Sequence, residues 1–285
     1  MISQIEFFYK KRRFASSSRP GGHSSSIKGT GMIFDKLVTL INNPDPRRLD
    51  IMASLKDPFE QWWVREYRQR ASIPVVALLD LSTSVSFEGE NDNVFFLMDF
   101  LKSLSRSTYR MGDRLGLVGF DNSIKDDWYY PPSSKRIINN SLIEKLFKNI
   151  EFQRGHNGIK ILHTLLPKEP GLVFFVSDFH ISLDLFEKFI IDSPRQEIVP
   201  IVIQDLAEVS GWKKNGVSLL SDSETNRKRL VWIGNDWRKK IEDSYKNRNE
   251  RIKKICSKYN IYPLFMSGKF ESERVSSHFL MGDLS

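Results

Sequence analysis

Two near-continuous apolar runs, each ending on an aspartate, constrain the fold of this chain more than any other feature. They are Ile73-Pro74-Val75-Val76-Ala77-Leu78-Leu79 before Asp80, and Gly171-Leu172-Val173-Phe174-Phe175-Val176-Ser177 before Asp178. A strand that is apolar at successive positions buries both faces, which happens where helices cover both sides of a parallel sheet. The stretches around these runs keep to that pattern. Residues 94–109 set Phe95, Met98, Leu101, Leu104 and Ser105 at helical spacing; 114–120 read as a strand, 135–149 as a helix, 159–166 as a short helix and 198–203 as a third buried strand. Residues 216–220 and 228–232 read as a hairpin, 236–259 as a long charged helix, 261–266 as a last strand and 271–280 as a closing helix. The alternation predicts an α/β fold, a doubly wound, mostly parallel open sheet of Rossmann-like type, over residues 71–285, with a hairpin insertion near 216–233. Residues 1–70 form an N-terminal extension. Its stretch 16–26 has turn chemistry, Asn42-Asn43-Pro44-Asp45-Pro46 is a second break, and the short apolar pieces 34–41 and 59–67 are expected to pack on the residues C-terminal to them.

Composition removes several classes of function. With 40% hydrophobic and 12% aromatic residues the chain has ample material for a core, so wholesale disorder is excluded. Its single cysteine, Cys256, excludes a disulfide framework or a multi-cysteine zinc ribbon and points to a reducing compartment. No apolar stretch is long enough to cross a bilayer. The basic cluster Lys10-Lys11-Arg12-Arg13 does not precede a long apolar region as in a secretory signal, so the expected location is cytoplasmic. Lys and Arg number 43 against 35 Asp and Glu, a net +8 that suits an acidic partner. The basic clusters are scattered, without a nucleic-acid-binding signature, so nucleic acid is not the expected partner. Peripheral membrane contact through residues 10–13 stays open. Trp62-Trp63, Trp128-Tyr129-Tyr130 and Trp237 are read as packing aromatics.

In an open parallel sheet, ligands gather beyond the carboxyl ends of the strands. Both acid-terminated runs deliver their acids there. Asp80-Leu81-Ser82-Thr83-Ser84 has the spacing Asp-x-Ser-x-Ser, which after a strand can turn one carboxylate and two hydroxyls to a common point, and Asp178 would add a second carboxylate. Such hard oxygen donors fit Mg²⁺, with Mn²⁺ or Ca²⁺ as alternatives. The rival reading makes Ser82 and Ser84 helix caps and Asp80 a strand-end turn residue. The five histidines form no zinc-binding pair, the Gly21-Gly22 and Gly29-Thr30-Gly31 segments lack a following Lys-Ser/Thr, and Ser82 has no Gly-x-Ser-x-Gly surround.

These residues resemble the von Willebrand factor A domain, whose metal-ion-dependent adhesion site uses Asp-x-Ser-x-Ser, a later Thr and a later Asp. Asp80, Ser82 and Ser84 fit the first element, and Val176-Ser177-Asp178-Phe179 fits the last. Where such domains often show Gly-Gly-Thr, this chain has Arg154-Gly155-His156-Asn157-Gly158-Ile159; Asn157 takes the Thr position, with His156 the competing register. A narrower resemblance spans almost the whole chain. Gly29-Thr30-Gly31-Met32-Ile33-Phe34, then Asp45-Pro46-Arg47-Arg48-Leu49-Asp50, then Arg65-Glu66-Tyr67 ahead of the Asp-x-Ser-x-Ser strand are similar to the bacterial MxaS-like (domain of unknown function 58) family. Residues 110–117 and 222–225 match further family-like stretches. The Gly and Trp of that family's element before the A domain are missing here.

The resemblance implies a non-enzymatic adaptor, with a metal site of Asp80, Ser82, Ser84, Asn157 and Asp178. It implies work beside a MoxR-type AAA+ ATPase, maturing or inserting a metal or cofactor into a client enzyme. An acidic residue of the partner would complete the ion's coordination. Two alternatives stand. One is a Mg²⁺-dependent phosphoryl-handling hydrolase with Asp80 as nucleophile, although Ser82 stands where such enzymes usually carry a second acid. The other is a structural interaction module with an empty metal site.

Overall fold

Strands that bury both faces need helices on both sides, and the computed structural model of the chain supplies them. It describes residues 6–11, 23–85, 92–133, 138–204, 216–221, 228–233 and 235–281. The stretch 12–22, the family-like stretch 222–225, residues 134–137 and the side chain of Trp237 lie outside what is described. Elements follow in the order β1 (His23–Thr39), α1 (Ile51–Leu55), β2 (Trp63–Ala71), β3 (Pro74–Asp80), α2 (Asn93–Met111), β4 (Arg114–Phe120), β5 (Ile124–Tyr130), α3 (Asn140–Lys148), α4 (Leu162–Leu165), β6 (Leu172–Ser177), α5 (Leu183–Asp192), β7 (Glu197–Gln204), β8 (Gly216–Ser221), β9 (Lys228–Ile233), α6 (Asn235–Lys258), β10 (Leu264–Ser267) and α7 (Ser272–Met281). Single 3-10 turns at Pro46–Arg48 and Asn157–Ile161 precede α1 and α4.

Six strands form one sheet in the order β10-β7-β6-β3-β4-β5, parallel throughout except for β5, which runs antiparallel on β4. The chain moves outward from β3 to β4 in one direction and returns through β6 on the other side, so the strand order reverses between β3 and β6. Crevices open at such a switch point.

The pleat divides the core into two layers. Val75, Ala77 and Leu79 of β3 face α2 and α7, with Phe96, Phe100, Leu104 and Phe279. Val76 and Leu78 face α5 and α6, with Phe186, Phe189, Ile252 and Ile255. Each fully buried side chain of this size is worth about 1.5–3 kcal/mol. Helix α2 is stopped at both ends: Asp92 Oδ1 accepts from the N–H groups of Val94 and Phe95, and Gly112 takes the left-handed conformation at φ 71°.

Several expectations are corrected. Strand β5 and helix α5 were not anticipated. In β5 only Trp128 is buried, and Lys125, Asp126 and Asp127 mark a charged edge strand rather than an apolar run. The helix expected at 135–149 begins at Asn140, and the last strand begins at Leu264 rather than Ile261. Strand β1 starts at His23, inside the stretch read as loop, because it pairs antiparallel with β2 in a separate two-stranded ribbon. The apolar pieces 34–41 and 59–67 therefore do not pack on the large sheet as a whole: Phe34, Ile41, Phe59 and Trp62 are exposed, and Val64 is buried. Conversely Phe7 and Tyr9, read as part of the extension, sit in the main core against Phe100 and Phe174. The hairpin is present as β8–β9. Among the described residues no helix is long and apolar enough to cross a membrane.

Candidate functional site

The switch point places the carboxyl ends of β3 and β6 side by side, so Asp80 and Asp178 emerge at one rim from adjacent strands. Asp80 is fully buried. Its Oδ1 accepts from the Ser82 N–H at 3.0 Å, and its Oδ2 accepts from the Ser177 hydroxyl at 2.6 Å. The first bond folds the chain after β3 into a tight turn that brings Ser82 and Ser84 inward, where their hydroxyl oxygens lie 2.9 Å apart. The turn is pinned from outside by the Leu81 N–H on the Phe120 carbonyl and the Thr83 N–H on the Gln153 carbonyl.

On the other strand, Asp178 Oδ1 accepts from the His180 N–H at 2.9 Å, while its Oδ2 is buried without a well-formed hydrogen bond. Burial pushes the Asp178 carboxyl above the usual carboxylate range, the His180 charge pulls it back, the Asp80 carboxylate pushes it further up, and the His180 N–H and the nearby Ser84 hydroxyl favour its ionised form. The two acids are thus near enough to repel. A buried carboxylate oxygen without a well-formed hydrogen bond, beside a second carboxylate and the Ser82 and Ser84 hydroxyls, is an arrangement a hard divalent cation would satisfy, and the donor set is oxygen only. Among the described residues no group of three or more His, Cys, Asp and Glu converges, so nothing there offers a nitrogen- or sulfur-rich site.

The structure brings together Asp80, Ser82, Ser84 and Asp178 but turns Asn157 elsewhere. Asn157 is exposed; its Nδ2 donates to Asn122 Oδ1 at 2.6 Å and its Oδ1 accepts from Lys160 Nζ at 2.7 Å. The competing register is the one that faces the site: His156 Nδ1 stands 3.8 Å from Asp80 Oδ1. Two glycines explain this. Gly155 adopts φ 92°, and Gly158 lies so close to the Asp121 and Ser123 carbonyls that a Cβ there would meet them at 2.9 and 2.8 Å. The loop is thereby seated on the turn between β4 and β5, next to Asn122.

Two contributors, and one nearby acid that does not contribute, were not anticipated. Ser177 bridges the strands, donating to Asp80 and accepting from the Phe179 N–H at 2.8 Å. Its only sequence signal is a hydroxyl in an otherwise apolar run just before an acid. Arg248 of α6 donates through Nε to the Phe179 carbonyl at 2.7 Å and through a terminal nitrogen to the Phe179 and Ile181 carbonyls, the latter at 2.6 Å. It holds the loop that carries Asp178, in which Phe179 sits at φ 59°. Asp121, a third acid at a strand end, is neutralised by Lys125 Nζ at 2.7 Å and belongs to the β4–β5 turn.

A family profile described as "Protein of unknown function DUF58" matches residues 47–251. No curated protein matches the chain. Among solved structures, the conserved hypothetical protein BatB from Bacteroides thetaiotaomicron is similar over 75% of this chain and 100% of that one, at 11% identity and a TM-score of 0.43. An aerotolerance-related membrane protein from Bacteroides fragilis, carrying multiple mutations to serines, is similar over 74% of this chain and 98% of its own at 8% identity and a TM-score of 0.41. Proximal thread matrix protein 1 from the mussel byssus covers 47% of this chain and 37% of its own at 18% identity and a TM-score of 0.35.

Proposed function

The chain belongs to the DUF58 family of proteins of unknown function, and from that premise we propose that it is a non-enzymatic interaction module of the von Willebrand factor A type. Its adhesion centre is a divalent cation, Mg²⁺ with Mn²⁺ or Ca²⁺ as alternatives, held by Asp80, Ser82, Ser84 and Asp178. The observation that carries this reading is the buried Oδ2 of Asp178, which makes no well-formed hydrogen bond and lies beside Asp80 on a rim otherwise lined with hydroxyls. Asn157 drops out of the ligand set in this reading, since its amide oxygen is engaged by Lys160. That leaves coordination positions for water and for a carboxylate of a partner protein. A bound cation supplies a charge that an acidic side chain can cap.

The protein's own residues supply the rest. Ser177 and the Ser82 N–H fix both oxygens of Asp80, leaving further lone pairs outward, and Arg248 holds the backbone that presents Asp178. With both oxygens already accepting hydrogen bonds, Asp80 is better placed as a fixed ligand than as an attacking nucleophile, which favours binding over phosphoryl transfer. The partner in this reading is a MoxR-type AAA+ ATPase, together with an acidic client whose metal or cofactor is being installed. The chain's net charge of +8 suits such acidic faces.

Thermal unfolding tests the cation. At a hundredfold excess over its Kd, Mg²⁺ or Mn²⁺ stabilises a one-site protein by about 2.7 kcal/mol, a rise of roughly 5–10 °C for a domain of this size. The rise should be absent in Asp80→Ala. Equal melting with and without metal in the wild-type chain removes the adhesion centre and leaves a metal-free interaction module.

A further inference from the structure

We propose that His156 is a ligand of the cation in this centre, and that its imidazole makes the centre select a first-row transition ion, Mn²⁺ or a later one, over Mg²⁺ and Ca²⁺. The inference rests on the adhesion-centre reading above and adds one nitrogen donor to it. The loop between α3 and α4 is built to turn this side chain inward. Gly155 takes φ 92°, the Gly158 N–H donates to the Asp121 carbonyl at 3.0 Å, and the Ile159 N–H closes a turn on the His156 carbonyl at 3.3 Å. Asn157 is drawn the other way by Asn122 and Lys160. Neighbours in sequence therefore part company: Asn157 is exposed, whereas the His156 side chain is only 12% exposed.

Distance decides what the imidazole can do there. His156 Nδ1 lies 3.8 Å from Asp80 Oδ1, too far for a hydrogen bond between them. A charge-assisted N–H to carboxylate bond would close to about 2.7–2.9 Å. Two donors on one ion, each about 2.1 Å from it, stand about 3 Å apart at a right angle and about 4.2 Å apart when opposed. The observed separation falls inside that interval. It is also set by the fold, because the Ser82 N–H and the Ser177 hydroxyl hold both oxygens of Asp80. His156 approaches Asp80 and makes no tight trio with Asp80 and Asp178, so its nitrogen enters on the Asp80 side of the rim.

Ligand type then sets the metal. Carboxylates and hydroxyls alone suit Mg²⁺ and Ca²⁺, hard ions that gain little from a nitrogen. Imidazole suits the first-row transition ions, whose affinity for such a site rises from Mn²⁺ through Fe²⁺ and Co²⁺. An amide or hydroxyl oxygen in the place of His156 would leave the centre all oxygen, without that preference.

Titration calorimetry and pulsed electron paramagnetic resonance of the full chain test the assignment. Co²⁺ should bind at least about tenfold tighter than Mg²⁺, and the Mn²⁺-loaded wild type should show the modulation of a directly bound nitrogen nucleus. His156→Ala should lose that modulation and weaken Co²⁺ about tenfold or more, with Mg²⁺ affinity changed less than about twofold. His156→Asn, which offers an oxygen, should keep Mg²⁺ binding and lose the preference for Co²⁺. Asn157→Ala should match the wild type in every measurement. Absence of nitrogen modulation in the Mn²⁺-loaded wild type, or equal affinity for Co²⁺ and Mg²⁺, overturns the proposal without needing any variant to fold, and leaves the adhesion centre standing. Unchanged Co²⁺ binding in folded His156→Ala overturns it as well. A wild-type chain that binds no divalent cation brings down the adhesion centre and this proposal together.

Discussion

Asp178 holds its proton more tightly than an exposed aspartate, first because burial withholds water from its charge and then because Asp80 repels it, with His180 opposing both. An acid whose folded pKa lies above its unfolded value binds protons better when folded. Its contribution to stability is greatest below the unfolded value and falls as pH rises through the raised folded one. At neutral pH, without metal, the ionised carboxylate is therefore a local cost. Asp178→Asn keeps an oxygen for the His180 N–H and removes the charge. In chelator at pH 7 it should melt above the wild type, by about 2–4 °C for each kcal/mol recovered, and the two should converge near pH 4. Divalent cation should raise the wild type and leave the variant unmoved. A variant that melts below wild type at pH 7 shows that Oδ2 has a protein partner, and the cation reading loses its main support.

At the scale of elements, the loop after β6 is held from a distance. Phe179 is a buried non-glycine residue at φ 59°, a conformation that costs about 1–3 kcal/mol and persists only where its surroundings impose it. The imposing group is Arg248, whose guanidinium is pulled below its ordinary pKa range by burial and supported by the nearby Asp178 charge. Arg248→Met should cost about 1.5–3 kcal/mol in urea unfolding, the range for a hydrogen bond to a charged group. It should also weaken Mn²⁺ binding in a direct titration, since the loop presenting Asp178 is released. A variant equal to wild type in both measurements would show that the loop holds itself. The same contrast separates what the sequence discloses from what it hides. Strands β3, β6 and β7 are legible because burial on both faces keeps their interiors apolar and confines polar residues to the strand ends. Strand β5 is hidden because an edge strand keeps its charges. Asp80, Ser82 and Ser84 are legible because one local turn gathers them. His156 in place of Asn157 is not, because a left-handed Gly155 and a tightly seated Gly158 set the loop register. Arg248 acts across 69 positions of sequence, and no local pattern announces it.

For the molecule as a whole, the segment ahead of the ribbon packs with the sheet, although composition groups it with the rest of residues 1–70. Phe7 stacks on Phe100 at 6.2 Å between ring centroids, and Tyr9 is fully buried against Phe174 and Phe279. The Tyr9 hydroxyl donates to Asp113 Oδ2 at 2.6 Å, and the other Asp113 oxygen accepts from the Ile73 N–H at the entrance to β3. Burial, and then the Asp113 charge, push the Tyr9 phenol well above its usual range, so it stays a donor throughout the physiological range. The first strand of the sheet domain is thus fastened to a residue more than sixty positions upstream. Deleting a buried Phe side chain costs about 3–5 kcal/mol, whereas truncating an exposed one such as Phe59 stays within about 0.5 kcal/mol. A chain restricted to residues 71–285 loses two buried aromatics and the Asp113 partner together. It should be at least ~3 kcal/mol less stable than the full chain, and Phe7→Ala alone should reproduce most of that loss. Phe59→Ala should not. If residues 71–285 unfold at the same denaturant concentration as the whole chain, the N-terminal segment is an ornament on a self-sufficient sheet, and the aromatic packing around Phe100 closes without it.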